Sequence, residues 1–305
     1  MDFGENLWFK LDTPGLELQL RLEDLGKVRI QEEIIPELLD KLVDEIKSSG
    51  KVRDPVIVDS NTLVVLDGMH RVAALRKLGC RYLPACLVDY QNPNVRVGCW
   101  YRTIQGEVNE SKFLDLFRLL GLSAEPTPSE TVTRALEEHR ASAALLTKDT
   151  CYLLKGESGE IRESYALVKR IELALREEGV RVDYENELDA VRRARSGEVS
   201  ATLMVPEVRK DEVIEAALSG NVFAHKTTRH VLSARPMHVD VPLEWLKGDR
   251  PLEELNRMLI EHLSKRRVKR LPEGALFEGR KYEGELWIFE QLGTLQAKSK
   301  IFFRF

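Results

Sequence analysis

Residues 16–22 alternate apolar and polar, the two-residue period of a half-buried strand. The period then changes. Between residues 32 and 46 the apolar positions are Ile34, Ile35, Leu38, Leu39, Leu42, Val43 and Ile46, the spacing of one helix face. Pro36 falls in the first turn, where proline is tolerated, and Gly50 supplies the stop. Two β-branched runs, 55–58 and 62–66, flank Asp59-Ser60-Asn61 and predict a hairpin. A helix over 69–78, closed by Gly79, and strands over 82–90 and 95–104 complete a compact first region.

Helical spacing recurs over residues 110–120, 129–139, 163–178, 188–196, 210–219 and 250–265. Short apolar runs predict strands over 143–146, 151–154, 180–184 and 200–205. Residues 126–129 read as a proline-containing linker, and the alternating tail, 275–305, as strand-rich. No internal repeat or low-complexity segment stands out. The predicted class is α+β, divided as residues 1–105, residues 106–247 as a second α/β lobe, and a C-terminal extension over 248–305.

Composition narrows the function classes. The chain has 305 residues and a net charge of −4, with a pI near 6.0. That balance argues against a dedicated nucleic-acid binder, which carries a basic surface. The abundance of Glu, Arg and Lys with little Gln is thermophile-like. Cys80, Cys86, Cys99 and Cys151 form no C-x-x-C pair and read as small buried apolar groups of a reducing compartment. Residues 1–11 lack the apolar segment of a signal peptide, and no apolar run reaches membrane-spanning length. A soluble cytoplasmic protein is expected.

Candidate chemistry concentrates in four places. Asp67-Gly68-Met69-His70-Arg71 lies between a predicted strand and helix. A helix N-terminus favours an anion, glycine lets backbone approach phosphate, and arginine forks onto phosphate oxygens. Asp67 is a candidate for Mg²⁺ binding or for orienting a hydroxyl; as a plain turn, the segment would instead place Arg71 in a surface ion pair. Gln31-Glu32-Glu33 opens the first helix ahead of Pro36, either as a cap or with a carboxylate acting as general base. Lys226-Thr227-Thr228-Arg229-His230 mixes donors suited to phosphate or carboxylate. Cys99-Trp100-Tyr101-Arg102 is an aromatic strand end, core or the wall of a small pocket. The basic run over 265–270 reads as a solvated linker.

Over residues 22–246 these segments, with Val88-Asp89-Tyr90, together resemble the archaeal free L-serine kinases, whose N-terminal part has the ParB/sulfiredoxin fold. The Lys226–Leu232 run is the most specific part, because ParB proteins and sulfiredoxins do not resemble it there. The resemblance implies a kinase that moves a phosphoryl group from ADP or ATP, with Mg²⁺, to free L-serine. It implies Glu32 as base, Asp67 at the reacting centre and on the metal, and His70 and Arg71 on phosphate, with Gly68 and Met69 in the same turn. It implies Thr227, Thr228, Arg229 and His230 as substrate or phosphate contacts, and Trp100 and Lys226 at the serine pocket. Two departures stand out. Met69 replaces a histidine usual in those kinases, and the region past Leu246 has no counterpart, suggesting an oligomerisation or regulatory module. The alternative is a ParB-like, nucleotide-dependent DNA-binding regulator, although no helix-turn-helix follows the first region. A sulfiredoxin-like reductase would need a cysteine where Met69 stands.

Overall fold

The computed structural model describes residues 7–155 and 160–290. The chain folds into two compact units. Of the described residues, the first comprises 7–96, 214–222 and 230–290, the second 97–155, 160–213 and 223–229. This differs from the expected three-part division, because residues 248–290 pack into the first unit.

In the first unit, five strands lie in the order Phe9–Thr13, Leu16–Asp24, Tyr82–Val88, Val56–Asp59 and Val65–Asp67. Leu16, Leu18, Leu20 and Leu22 all point into the core, as the alternation requires. Every residue of Tyr82–Val88 is buried. This central strand runs parallel to Val56–Asp59 and antiparallel to Leu16–Asp24 and is covered on both faces. Phe9–Thr13 lies outside the sequence expectation; too few of its positions alternate to signal a strand.

The first helix spans Pro36–Ser49, not 32–46. Ile35 is extended at φ −87°, ψ 118°, because the residue before a proline is pushed out of the helical region, and Pro36 then opens the helix. Glu32 therefore sits in extended chain ahead of the helix and is no cap of it. Gly50 ends the helix in the left-handed conformation at φ 67°.

The C-terminal region is anchored in the same unit. Asn256, on the helix Leu252–Ser264, accepts from Leu22 N at 2.7 Å and donates to Leu22 O at 3.2 Å. One side chain thus satisfies both backbone groups of a buried strand residue. The basic run is no linker: Arg267–Leu271 pairs antiparallel with Glu285–Glu290, which in turn runs parallel to Ala234–Met237. Of the strand-rich tail, residues 276–277, 280–281 and 285–290 are strands, and 291–305 lie outside the described residues.

The second unit is a six-stranded sheet in the order Val182–Glu185, Tyr101–Ile104, Ala201–Met204, Ala143–Leu146, Cys151–Lys155 and Ser123–Pro126, antiparallel throughout. Ser123–Pro126 makes the expected linker partly an edge strand, where proline costs no ladder bond. Val132, Ala135, Leu136, Ala144, Leu146 and Ala194 join helices to this sheet in one core. The expected single strand over 95–104 is two, Val95–Cys99 and Tyr101–Ile104, and Trp100 is the break between them.

Candidate active site

In the first unit, the strand Val65–Asp67 hands over to the helix Met69–Lys77 through Gly68 alone. Gly68 has φ +97°. A Cβ there would stand 2.6 Å from Arg71 Nη2 and 2.7 Å from its Nε. The glycine is required twice, by backbone conformation and by the guanidinium folded against it. It brings no capping side chain, the first turn holds no acid, and the first N–H groups of any helix have no acceptor within it. That end of the helix is an anion-attracting surface. Met69 is its first residue and half-buried.

Asp67 lies under guanidinium groups. Arg235 Nη1 donates to its Oδ2 at 2.8 Å, and Arg71 Nη2 stands 3.4 Å from the same oxygen. Burial opposes ionisation of Asp67, but the charges of Arg235, Arg71 and Arg280 outweigh it and hold the carboxyl well below the usual range. Arg235 is fixed from its other side by His230 O, which accepts from Nη2 at 2.7 Å. His230 is buried, and its Nε2 meets Tyr90 Oη at 2.8 Å. His230 thus anchors Arg235 through its backbone carbonyl, while its ring lies against Tyr90. No local motif in Ala234-Arg235-Pro236 marks Arg235 as a site residue; only the path of its strand brings it to Asp67.

Glu32 is buried. Its segment runs beside the strand that ends in Asp67. Arg29 bridges Val64 in parallel, with Arg29 N donating to Leu63 O at 3.0 Å and Val65 N to Arg29 O at 2.8 Å. Glu32 and Asp67 are the same number of residues beyond that bridge. Past Glu32 the segment is held again, where Ile35 N donates to His70 Nε2 at 3.0 Å. His70 Nε2 is therefore an acceptor, so its proton resides on Nδ1 in the neutral ring. The structure brings Glu32, Asp67, Gly68, Met69, His70 and Arg71 to one edge of the first unit.

A second cluster lies in the second unit. Lys226 Nζ stands 4.7 Å from the centroid of the Trp100 ring, and Arg229 Cζ 5.8 Å from it. Arg229 pairs with Glu187 Oε2 and donates through Nε to Cys99 O at 3.2 Å, while Cys99 N donates to Glu187 Oε1 at 2.7 Å. Gly98 makes room for this: a Cβ there would meet Glu187 Oε1 at 2.7 Å and Arg229 Nη2 at 2.9 Å. Glu187, which no motif in the sequence singles out, is thus the hub of this cluster. Lys226 has φ +63°, an uncommon conformation for a side chain of its size. Thr227 is fully buried and its hydroxyl donates to Ala224 O at 2.8 Å, which closes the turn. Thr228 is buried at the start of the next strand.

The cysteines offer no nucleophile. Burial pushes the Cys86 thiol up to about 12, and burial with Glu187 and Glu207 raises Cys99. Among the described residues no cluster of three His, Cys, Asp or Glu side chains could hold a metal by itself, and no helix is long and apolar enough to cross a membrane.

No protein-family model matches the chain. Among characterised proteins it is 32% identical over 244 residues to an ATP-dependent L-serine kinase of Staphylothermus marinus, covering 78% of this chain and 95% of that one. It is 27% identical over 247 residues to an ADP-dependent L-serine kinase of Thermococcus kodakarensis, covering 78% and 97%. Among solved structures, a free serine kinase variant with one glutamate replaced by alanine, in complex with AMP, superposes with a TM-score of 0.65 at 25% identity, covering 77% of this chain and 97% of that one. The fold is that of the free serine kinases. The chain belongs to the L-serine kinase family, and the DNA-binding alternative is not favoured.

Proposed function

We propose that the protein transfers a phosphoryl group from ADP or ATP to the hydroxyl of free L-serine, giving O-phospho-L-serine. The observation that carries this reading is the Asp67–Arg71 turn, an anion-attracting helix end beside a buried glutamate, in a chain of the L-serine kinase family.

In this reading the terminal phosphate of the nucleotide rests against the first turn of Met69–Lys77. Arg71 and the Nδ1–H of His70 donate to its oxygens, and Glu32 takes the proton from the serine hydroxyl. The new bond joins the serine oxygen to phosphorus; the bond broken is the bridging P–O bond of the nucleotide, leaving AMP from ADP or ADP from ATP. Such transfers depend mainly on positioning and on charge aimed at the moving phosphoryl group. The two holds on the Glu32 segment, at Arg29 and at Ile35, supply the positioning. Trp100 and Lys226 are assigned to the amino acid, and Arg229, its charge compensated by Glu187, to shaping their pocket.

The residues fit Mg²⁺ held mostly by the nucleotide. Both guanidinium contacts of Asp67 fall on Oδ2, which leaves Oδ1 as the protein ligand, and Mg²⁺ in phosphoryl-transfer sites takes one or two carboxylates with phosphate and water. When bound it would offset charge on the phosphate oxygens.

The test is a mass-spectrometric screen of the purified chain with Mg²⁺, offering ADP or ATP against serine, threonine and other small hydroxyl compounds. Phosphoserine formed with one donor is the expected result and names that donor. A different phosphorylated product would change the acceptor, and no product with any pair would overturn the reading.

A further inference from the structure

The C-terminal region contributes more than packing. Residues Leu276–Phe277 and Arg280–Lys281 form a small hairpin. Its tip is stapled to the first unit by Glu278, which reaches Arg53 Nη2 at 2.5 Å and His238 Nε2 at 3.2 Å. The Phe277 ring packs tilted against the His238 ring, with centroids 5.4 Å apart. After the hairpin the chain is gripped again. Glu285 N donates to Ser233 O at 2.9 Å, and a Cβ on Gly284 would fall 2.0 Å from Leu232 O, so only glycine passes there. The following strand lies parallel to Ala234–Met237, with Arg235 opposite Leu286. The hairpin is therefore fixed at both ends to the segment that carries Arg235.

Arg280 is the cation this hairpin presents. Its guanidinium lies 5.0 Å from the centroid of Tyr282, a ring packed with Met237, Leu286 and Ile288. Among the described residues it has no carboxylate partner within 4.0 Å, yet its charge is felt by Asp67. An exposed arginine oriented by an aromatic face, without a carboxylate partner among the described residues, on a hairpin fixed to the segment whose Arg235 bonds Asp67, is arranged to receive a phosphate.

We infer that Arg280, on the C-terminal hairpin, is a nucleotide-phosphate-binding residue, so that the C-terminal region completes the donor site. This rests on the assignment of nucleotide phosphate to the Asp67–Arg71 turn. Arg280 meets the bound nucleotide in the ground state, so its loss acts on donor binding more than on turnover.

The experiment compares wild type, Arg280→Gln and Arg280→Lys by calorimetric titration with ADP and ATP in the presence of Mg²⁺, alongside the KM and kcat for each donor. Arg280→Gln is expected to weaken nucleotide binding roughly tenfold, the low end for a charge-assisted contact because the group is exposed. The kcat should stay within about threefold, Arg280→Lys should recover part of the loss, and added salt should shrink the difference. Glu278→Gln, which loosens the hairpin without touching Arg280, should weaken binding in the same direction but less. Unchanged affinity in Arg280→Gln, with wild type binding nucleotide, overturns this inference and leaves the proposed reaction intact. Wild type that binds nucleotide but phosphorylates nothing sinks the reaction, while the same titration still decides on Arg280. Wild type that binds neither nucleotide overturns both.

Discussion

The two candidate clusters use arginine in opposite ways. In the first unit, Arg71 and Arg235 converge on a single carboxylate oxygen, and Arg280 adds its field. A helix N-terminus with no acid in its first turn lies beside them. In the second unit, Arg229 is matched by Glu187, tied to Cys99 O and laid near Trp100, with Lys226 over the same ring. The first cluster gathers its arginines on one carboxylate beside a helix N-terminus, an arrangement suited to an anion; the second ties its arginine to a carboxylate and a carbonyl beside an aromatic ring, an arrangement suited to a small polar molecule. Residue type alone does not assign a ligand. The groups to which each arginine is tied separate the two clusters.

That contrast can be broken, beginning with the strongest lever. Glu32→Gln should lower turnover by about 10²–10⁴-fold, the usual scale for a general base, with nucleotide affinity changed little; steady-state kinetics beside a binding titration check this, and parallel loss of both would remove Glu32 as base. Next is Gly68→Ala. It forces a side chain into φ +97° and into the Arg71 guanidinium, and should destabilise the fold by about 1–3 kcal/mol while raising the donor KM; chemical denaturation and kinetics read the two effects. If only stability falls, Arg71 does not hold phosphate.

Arg235→Met probes the hold of the arginines on Asp67. Asp67 is held below its unfolded value, so its ionisation contributes stability above the unfolded pKa, near 4, and that contribution is lost as pH falls through the folded one. Without Arg235 the folded value rises, so the acid-unfolding midpoint should move to higher pH. An unmoved midpoint would mean that Arg71 and Arg280 suffice. The weakest response belongs to Gly98→Ala, whose Cβ would press on Glu187 and Arg229. The KM for the amino acid should rise several-fold with the donor KM unchanged. A rise in the donor KM instead would erase the division of labour between the clusters.

Much of this is legible from periodicity and local chemistry. The helix end at Gly50, the strand–glycine–helix turn at 65–77 and the strand at 143–146 follow from short-range patterns. The edge strands Phe9–Thr13 and Ser123–Pro126 are not legible, because an edge strand is specified by its partner more than by its own alternation. Periodicity starts the first helix four residues early because apolar spacing continues through Ile34 and Ile35, and only the conformation imposed by Pro36 separates them from it.

Neighbours along the chain suffice to single out the Asp67–Arg71 turn, the Gln31-Glu32-Glu33 acids and the Trp100 and Lys226 segments as candidates, since each is a local arrangement of residue types with its chemistry set nearby. Folding had to bring Arg235 and Arg280 to Asp67, His230 to Arg235, and Glu187 to Arg229. Most of those pairings join residues far apart in the chain, and charge acts through distance in space, which no pattern of adjacent residues encodes.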